Sequence, residues 1–262
     1  MKILLKISYI GTNYEGFQAQ KSGRAVQNIM TDAAEKVFGF PCNVTGCSRT
    51  DAGVHALGFC LTVEPKTARE NWCTIPLGKI NKAFAPHLPP DIAVLGAASV
   101  EDDFHARYSA RGKEYIYKIW DASADDPFMY GRVCRRRIPV SAEGLEKMKK
   151  AAGYFIGRHD FTAFMASGSK ITDCVREVYD AKVERCADGT IVFTVSADGF
   201  LYNMVRIMAG TLLDCAQGKI NAEDIPGIIE SKKRENAGFT ACAEGLYLRR
   251  VFYDDDISFE CN

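Results

Sequence analysis

Apolar and polar positions along the chain change period several times, and each change predicts an element. Lys2-Ile3-Leu4-Leu5-Lys6-Ile7-Ser8-Tyr9 reads as a first β-strand, with a glycine-bearing loop, Gly11 to Gln18, behind it. From Val26 to Phe38 the period lengthens, placing Val26, Ile29, Met30, Ala33, Val37 and Phe38 on one face of a helix. Two strand-like runs follow, Asn43 to Cys47 and Val54 to Val63, then a short helix around Leu77 to Ala85 and a strand from Ile92 to Val100. The first half therefore runs β-α-β-β-α-β.

The second half repeats that order loosely. Glu114 to Trp120 is a strand with Tyr115 and Tyr117 on one face, and Leu145 to Ile156 is a helix. Val175 to Cys186 and Ile191 to Ala197 form a hairpin across Ala187-Asp188-Gly189. Asn203 to Cys215 is a strongly apolar helix ending near Gly218. Asn221 to Ser231 is another, with Asp224 near its start, and Tyr247 to Tyr253 closes the chain as a strand. The predicted fold is α+β: two tandem ferredoxin-like, RRM-like β-α-β-β-α-β halves with antiparallel sheets joined across a central cleft. The boundary falls near Glu101 to His105, giving domains 1–103 and 104–262.

Composition narrows the function classes. The chain has 262 residues, 47% hydrophobic and 25% charged, enough for real cores and ordinary for globular proteins. No apolar run is long enough to span a bilayer, and the lysines in the first strand argue against a signal peptide. Ten cysteines without a Cys-x-x-C pair, and with neither His-x-Glu nor His-Glu-x-x-His, read as small buried residues in a reducing cytosol rather than disulfides or zinc ligands. Formal net charge is zero, against bulk coating of nucleic acid. The charge is nonetheless uneven. Arg107, Arg111, Lys113, Lys118, Arg132, Arg135, Arg136 and Arg137 make a basic stretch suited to phosphate, whereas Asp254, Asp255, Asp256 and Glu260 make an acidic tail.

Three features bear on chemistry, and each has a plain structural reading. Asp51 lies in Arg49-Thr50-Asp51-Ala52-Gly53-Val54-His55-Ala56, between two strands. By spacing alone it is a turn residue, its carboxylate capping the turn and Gly53 supplying positive φ. Arg206 is a permanent cation in an otherwise apolar helix; it either snorkels to water or meets a carboxylate, and a cation beside Asp51 keeps that group ionised. Tyr115 and Tyr117 are core residues of a sheet face, or the flat wall on which a base stacks.

Taken together, the ordered motifs resemble the TruA family of tRNA pseudouridine synthases over almost the whole chain. The resemblance rests on Arg49 to Ala56, on Tyr9-Ile10-Gly11-Thr12-Asn13-Tyr14-Glu15-Gly16-Phe17-Gln18 with Val26-Gln27, on Leu88 to Ile92, and on Phe104 to Ala110. It continues through Gly157 to Phe161, Asp198 to Arg206, and Gly245 to Leu248. It implies that Asp51 is the essential aspartate, that Tyr115 packs against the target uracil, and that Arg206 pairs with Asp51. Arg49 would hold the extruded nucleotide and Leu246 line the pocket, with His55 packed behind the motif and no role fixed for Tyr117 or His159. Two positions depart from the family pattern: Ile10 replaces the usual acid and Cys242 the usual proline.

The implied reaction turns uridine into pseudouridine in the anticodon stem-loop of tRNA, at positions conventionally numbered 38 to 40, by a cytoplasmic homodimer without membrane attachment. It is a rearrangement without net redox change, so it needs no nicotinamide, metal or other cofactor. The uridine must first leave the stack. Two other readings share the scaffold: a paralogue acting on another RNA such as rRNA, and a non-catalytic RNA-binding protein. A glycosidase fits poorly, for want of a second catalytic acid.

Overall fold

The computed structural model describes residues 1–168, 171–254 and 257–260; Asp255 and Asp256 of the acidic tail lie outside the described residues. The chain divides into two compact units, Met1–Arg111 with Leu248–Asn262, and Gly112–Tyr247.

The first unit contains β1 (Lys2–Tyr9), α1 (Val26–Phe38), β2 (Cys42–Gly46), β3 (His55–Pro65), α2 (Ile80–Phe84) and β4 (Ile92–Val100). β1 is the centre of an antiparallel sheet, running Ile3 against Val63 of β3 on one side and Lys2 against Val100 of β4 on the other. β2 adds to the far half of β3, Gly46 opposite Leu61. The two helices cover the sheet, α1 over β2 and α2 over β4. Val26, Met30, Ala33 and Ala34 of α1 and Ile80 and Phe84 of α2 are buried there, and Phe17 stacks on Phe59 at 4.2 Å. Segment 77–87 is three short pieces rather than one helix, with a 3-10 turn on each side of α2. Pro86 breaks the second junction.

The second unit contains β5 (Ala110–Trp120), β6 (Cys134–Arg135), α3 (Ala142–Gly153), β7 (Gly157–Asp160), β8 (Val175–Arg185), β9 (Ile191–Ala197), α4 (Met204–Ala216) and α5 (Ile225–Ser231), with β10 (Leu246–Tyr253) following. Its sheet runs β5-β9-β8-β7, all antiparallel, and β6 joins β5 in parallel. α3 packs on α4 and β8. The helix expected over Asn221 to Ser231 opens as a 3-10 turn, in which Asn221 and Asp224 form a reciprocal capping box, before α5 begins. From Leu248 on, β10 belongs to the first unit, beside β3. The segment after β4 folds onto it: the Tyr253 hydroxyl donates to the Ala106 carbonyl at 2.8 Å, and the Phe104 and Tyr253 rings lie 5.2 Å apart.

The cysteines depart in part from the buried reading, and Cys261 lies outside the described residues. Cys42, Cys47, Cys60, Cys134, Cys174 and Cys215 are buried, Cys73 and Cys186 are half-buried, and Cys242 is exposed.

Asp121, just beyond β5, is buried and takes two bonds from Arg185, at 2.8 and 2.9 Å, and one from the Val140 N–H at 2.7 Å. Burial pushes its carboxyl up, but the guanidinium and the amide together hold it below the ordinary carboxylate value. The folded-state pKa is depressed, so this stability is present above the unfolded-state value and is lost as pH falls through the folded one. Asp121→Asn is expected to cost about 2 kcal/mol at pH 7. Urea unfolding at stepped pH should show the gap between variant and parent closing below about pH 4. A gap that is constant with pH would refute the ionic role.

Candidate active site

Asp51 sits in a turn that the first unit fixes from behind. Its backbone oxygen accepts from the Val54 N–H at 3.2 Å, and Gly53 takes φ of +80°, as the turn reading requires. The loop after β1 grips the residues on either side. The Phe17 N–H donates to the Thr50 carbonyl at 3.1 Å, and the Tyr9 hydroxyl bonds the buried Thr50 hydroxyl at 2.8 Å. His55 is fully buried, and its Nδ1 accepts the Gly11 N–H at 2.9 Å. That places the neutral ring's proton on Nε2 and makes His55 a brace behind the motif. Gly11 is obligatory at this contact, because a Cβ there would lie 1.9 Å from the Val54 carbonyl oxygen. In front, Arg49 is exposed and Asp51 half-exposed, so both side chains can meet solute. Tyr14 closes the loop by donating to Asp91, and burial first, then that carboxylate, pushes its hydroxyl pKa up.

The other three residues belong to the second unit. Tyr115 is nearly buried, its ring edge-on to Phe200 at 5.0 Å. Phe200 is a neighbour that sequence reasoning missed, although it lies in the Asp198 to Arg206 motif. Tyr117 is fully buried, and its hydroxyl donates to the Cys242 carbonyl at 2.8 Å. Burial holds that hydroxyl's pKa well above its ordinary value, so it stays protonated and donates. Every residue of α4 except Arg206 and Ala216 is buried. Arg206 donates from Nε to the Ala241 carbonyl and from Nη1 to Asn203 Oδ1, both at 2.8 Å, while its own carbonyl accepts the Ala241 N–H at 3.1 Å. It therefore neither simply snorkels nor spends all its donors on charge. It grips the segment leading to Leu246, which is buried at the start of β10.

That segment has further supports. Arg234 bonds the Gly238 carbonyl at 2.9 Å and the Thr240 hydroxyl at 3.1 Å, and the Gly238 N–H donates to the Thr211 hydroxyl of α4 at 2.9 Å. His159 has its Nε2 bonded to the Ile156 carbonyl at 3.0 Å and its ring edge-on to Phe161. Ile10 lies at the end of β1, where its N–H donates to the Asp91 carbonyl. Among the described residues, no three His, Cys, Asp or Glu side chains are grouped to hold a metal ion, and no helix is long and apolar enough to cross a membrane.

What the arrangement offers is a carboxylate on a rigid turn with an exposed arginine beside it, and separately an aromatic wall with a braced cation. Comparison with known proteins gives this a family. The sequence model described as tRNA pseudouridine synthase matches residues 6–109 and 151–254. The chain belongs to the tRNA pseudouridine synthase family. Within it, tRNA pseudouridine synthase A of Ruminiclostridium cellulolyticum is 44% identical over 252 residues, covering 96% of this chain and 99% of that protein. The synthase A of Staphylococcus aureus strain MSSA476 is 38% identical over 256 residues, covering 98% and 92%. Among solved structures, a Cbf5-Nop10-Gar1 complex matches at TM-score 0.41 and 12% identity, over 96% of this chain and 50% of the matched one. Arg49, Asp51, Arg206 and Leu246 lie inside the matched spans, and Tyr115 lies in the interval between them.

Proposed function

We propose that this family member isomerises uridine to pseudouridine in tRNA, within the anticodon stem-loop at position 38, 39 or 40, as a cytoplasmic homodimer that needs no cofactor. The reading is carried by the intact Arg49 to Ala56 motif, held as a rigid turn in a chain that the family model matches on both sides of residue 110. The reaction breaks the bond from ribose C1′ to N1 of the base and makes one to C5. C5 loses a proton and N1 gains one, so composition is unchanged. Asp51 opens the sequence, either by adding to base or sugar or by taking a ribose proton, and both routes need its carboxylate ionised. Arg206 is its proposed partner. Tyr115 packs on the uracil, Leu246 lines the pocket, and Arg49 holds the nucleotide after it leaves the stack. Recognition of many tRNAs by one enzyme calls for reading shape and backbone rather than base edges.

Incubating the purified protein with unmodified tRNA transcripts and unmodified rRNA fragments, then mapping pseudouridine by carbodiimide-dependent reverse-transcription stops, tests this directly. Stops confined to tRNA positions 38 to 40 are the expected result. Stops in rRNA alone overturn the substrate, and none in either RNA overturns the activity. Sedimentation of the same sample as a single-chain species would overturn the homodimer.

A further inference from the structure

A pair of cysteines in the second unit takes no part in this chemistry. Cys134, buried in β6, pairs in parallel with Ile119 of β5, which brings it beside Tyr117 two residues earlier in that strand. Cys242 is exposed, directly before the turn Ala243–Gly245 that packs on β6. The turn thus carries Cys242 to the strand that bears Cys134. The Tyr117 hydroxyl lies on the same spot, 2.8 Å from the Cys242 carbonyl oxygen and 3.6 Å from its sulfur.

The environment favours a thiolate. The Cys242 thiol lowers the Cys134 thiol most; burial opposes it, and the Tyr117 hydroxyl and the Arg136 cation assist, holding it below the ordinary thiol value. Cys242 moves the other way, because its proton is the one shared with Cys134 and because it is partly desolvated. The pair is thus biased towards a thiolate on Cys134, beside a second thiol on an exposed residue.

We propose that Cys134 and Cys242 form a dithiol site that a hydroperoxide converts to a disulfide. The thiolate attacks the peroxide oxygen, the O–O bond breaks, and a sulfenic acid and an alkoxide or hydroxide result. The second thiol then attacks the sulfenic sulfur and expels water. In sum, two thiols and one hydrogen peroxide give one disulfide and two waters, and two electrons pass from sulfur to the O–O bond. Both cysteines are free, so closing a disulfide of about 2.05 Å draws Cys242 and β6 together. Ala241, gripped by Arg206, is the next residue back, and Leu246 is four residues on. Closure of the disulfide therefore lowers synthase activity, a consequence that rests on the roles proposed for Arg206 and Leu246.

The test reads the bond and the activity separately. The intact protein is treated with hydrogen peroxide, blocked with iodoacetamide and digested with trypsin without reduction. The expected product is Val133-Cys134-Arg135 linked to the peptide 235–249, each of which contains a single cysteine. It should be abolished by dithiothreitol and absent from Cys242→Ser. Pseudouridine formation should fall at least fivefold on oxidation, recover on reduction, and stay unchanged in Cys242→Ser under the same peroxide. Absence of the linked peptide overturns the site whatever the activity does. A linked peptide with full activity, or Cys242→Ser losing as much activity as the parent, overturns its effect on catalysis. If the reduced protein makes no pseudouridine, the functional reading fails while the peptide map still decides the disulfide.

Discussion

Asp51→Asn is expected to abolish pseudouridine formation, by a factor on the order of 10³ or more in single-turnover rate, while the Kd for tRNA stays within about threefold. The amide keeps the shape of the carboxylate but is neither a nucleophile nor a base. The turn itself survives, because the bond that closes it runs between the Asp51 carbonyl and the Val54 N–H and does not use the side chain. Rate, filter-binding affinity and the urea midpoint, measured together, separate chemistry from folding. Substantial activity in the variant removes Asp51 from the reaction.

Gly11→Ala should act on the same motif from behind and through the fold. The added methyl would meet a backbone carbonyl oxygen at 1.9 Å, which no rotamer change can relieve, so either the loop after β1 or the strand leaving the motif must shift. The cost is expected at about 3 kcal/mol in urea unfolding. Residual activity should be low even where the variant remains folded, because the shift also breaks the Gly11 to His55 bond and unseats the grip on Thr50. Gly227→Ala, in α5 with no atom within 4 Å of the new methyl, is the control and should be neutral or slightly stabilising. Equal behaviour of the two variants would show that the close approach at Gly11 is not what holds the motif.

How far the sequence could be read follows from the range of the interactions involved. β1, α1 and β4 keep the bounds their periodicity predicts, because each has a run of side chains long enough to set a face. β6 and β7 escape such reading: two and four residues hold no period, and their extended shape comes from pairing with β5 and β8. The same divide runs through the candidate site. That Asp51-Ala52-Gly53 turns is local and legible. That Tyr9 reaches Thr50, and His55 reaches Gly11, across more than forty residues is not, since no spacing encodes which distant backbone a buried ring will meet. Arg206 was legible as an oddity in an apolar helix, but its partners Ala241 and Asn203 were not equally so. Asn203 is three residues away, whereas Ala241 is brought there by the fold.

The placement of β10 bears on how the protein is born. The first unit is discontinuous in sequence, and the strand beside β3 is made only after the whole second unit. The second unit is an unbroken stretch, Gly112–Tyr247, able to close as soon as it emerges. Until then the part of that β3 edge not paired with β2 stays uncovered, and the loop that β10 must close is the whole second unit. Folding that unit first shortens the gap in space far below what a flexible chain would impose. The carboxylate-bearing half, although made first, is thus completed last.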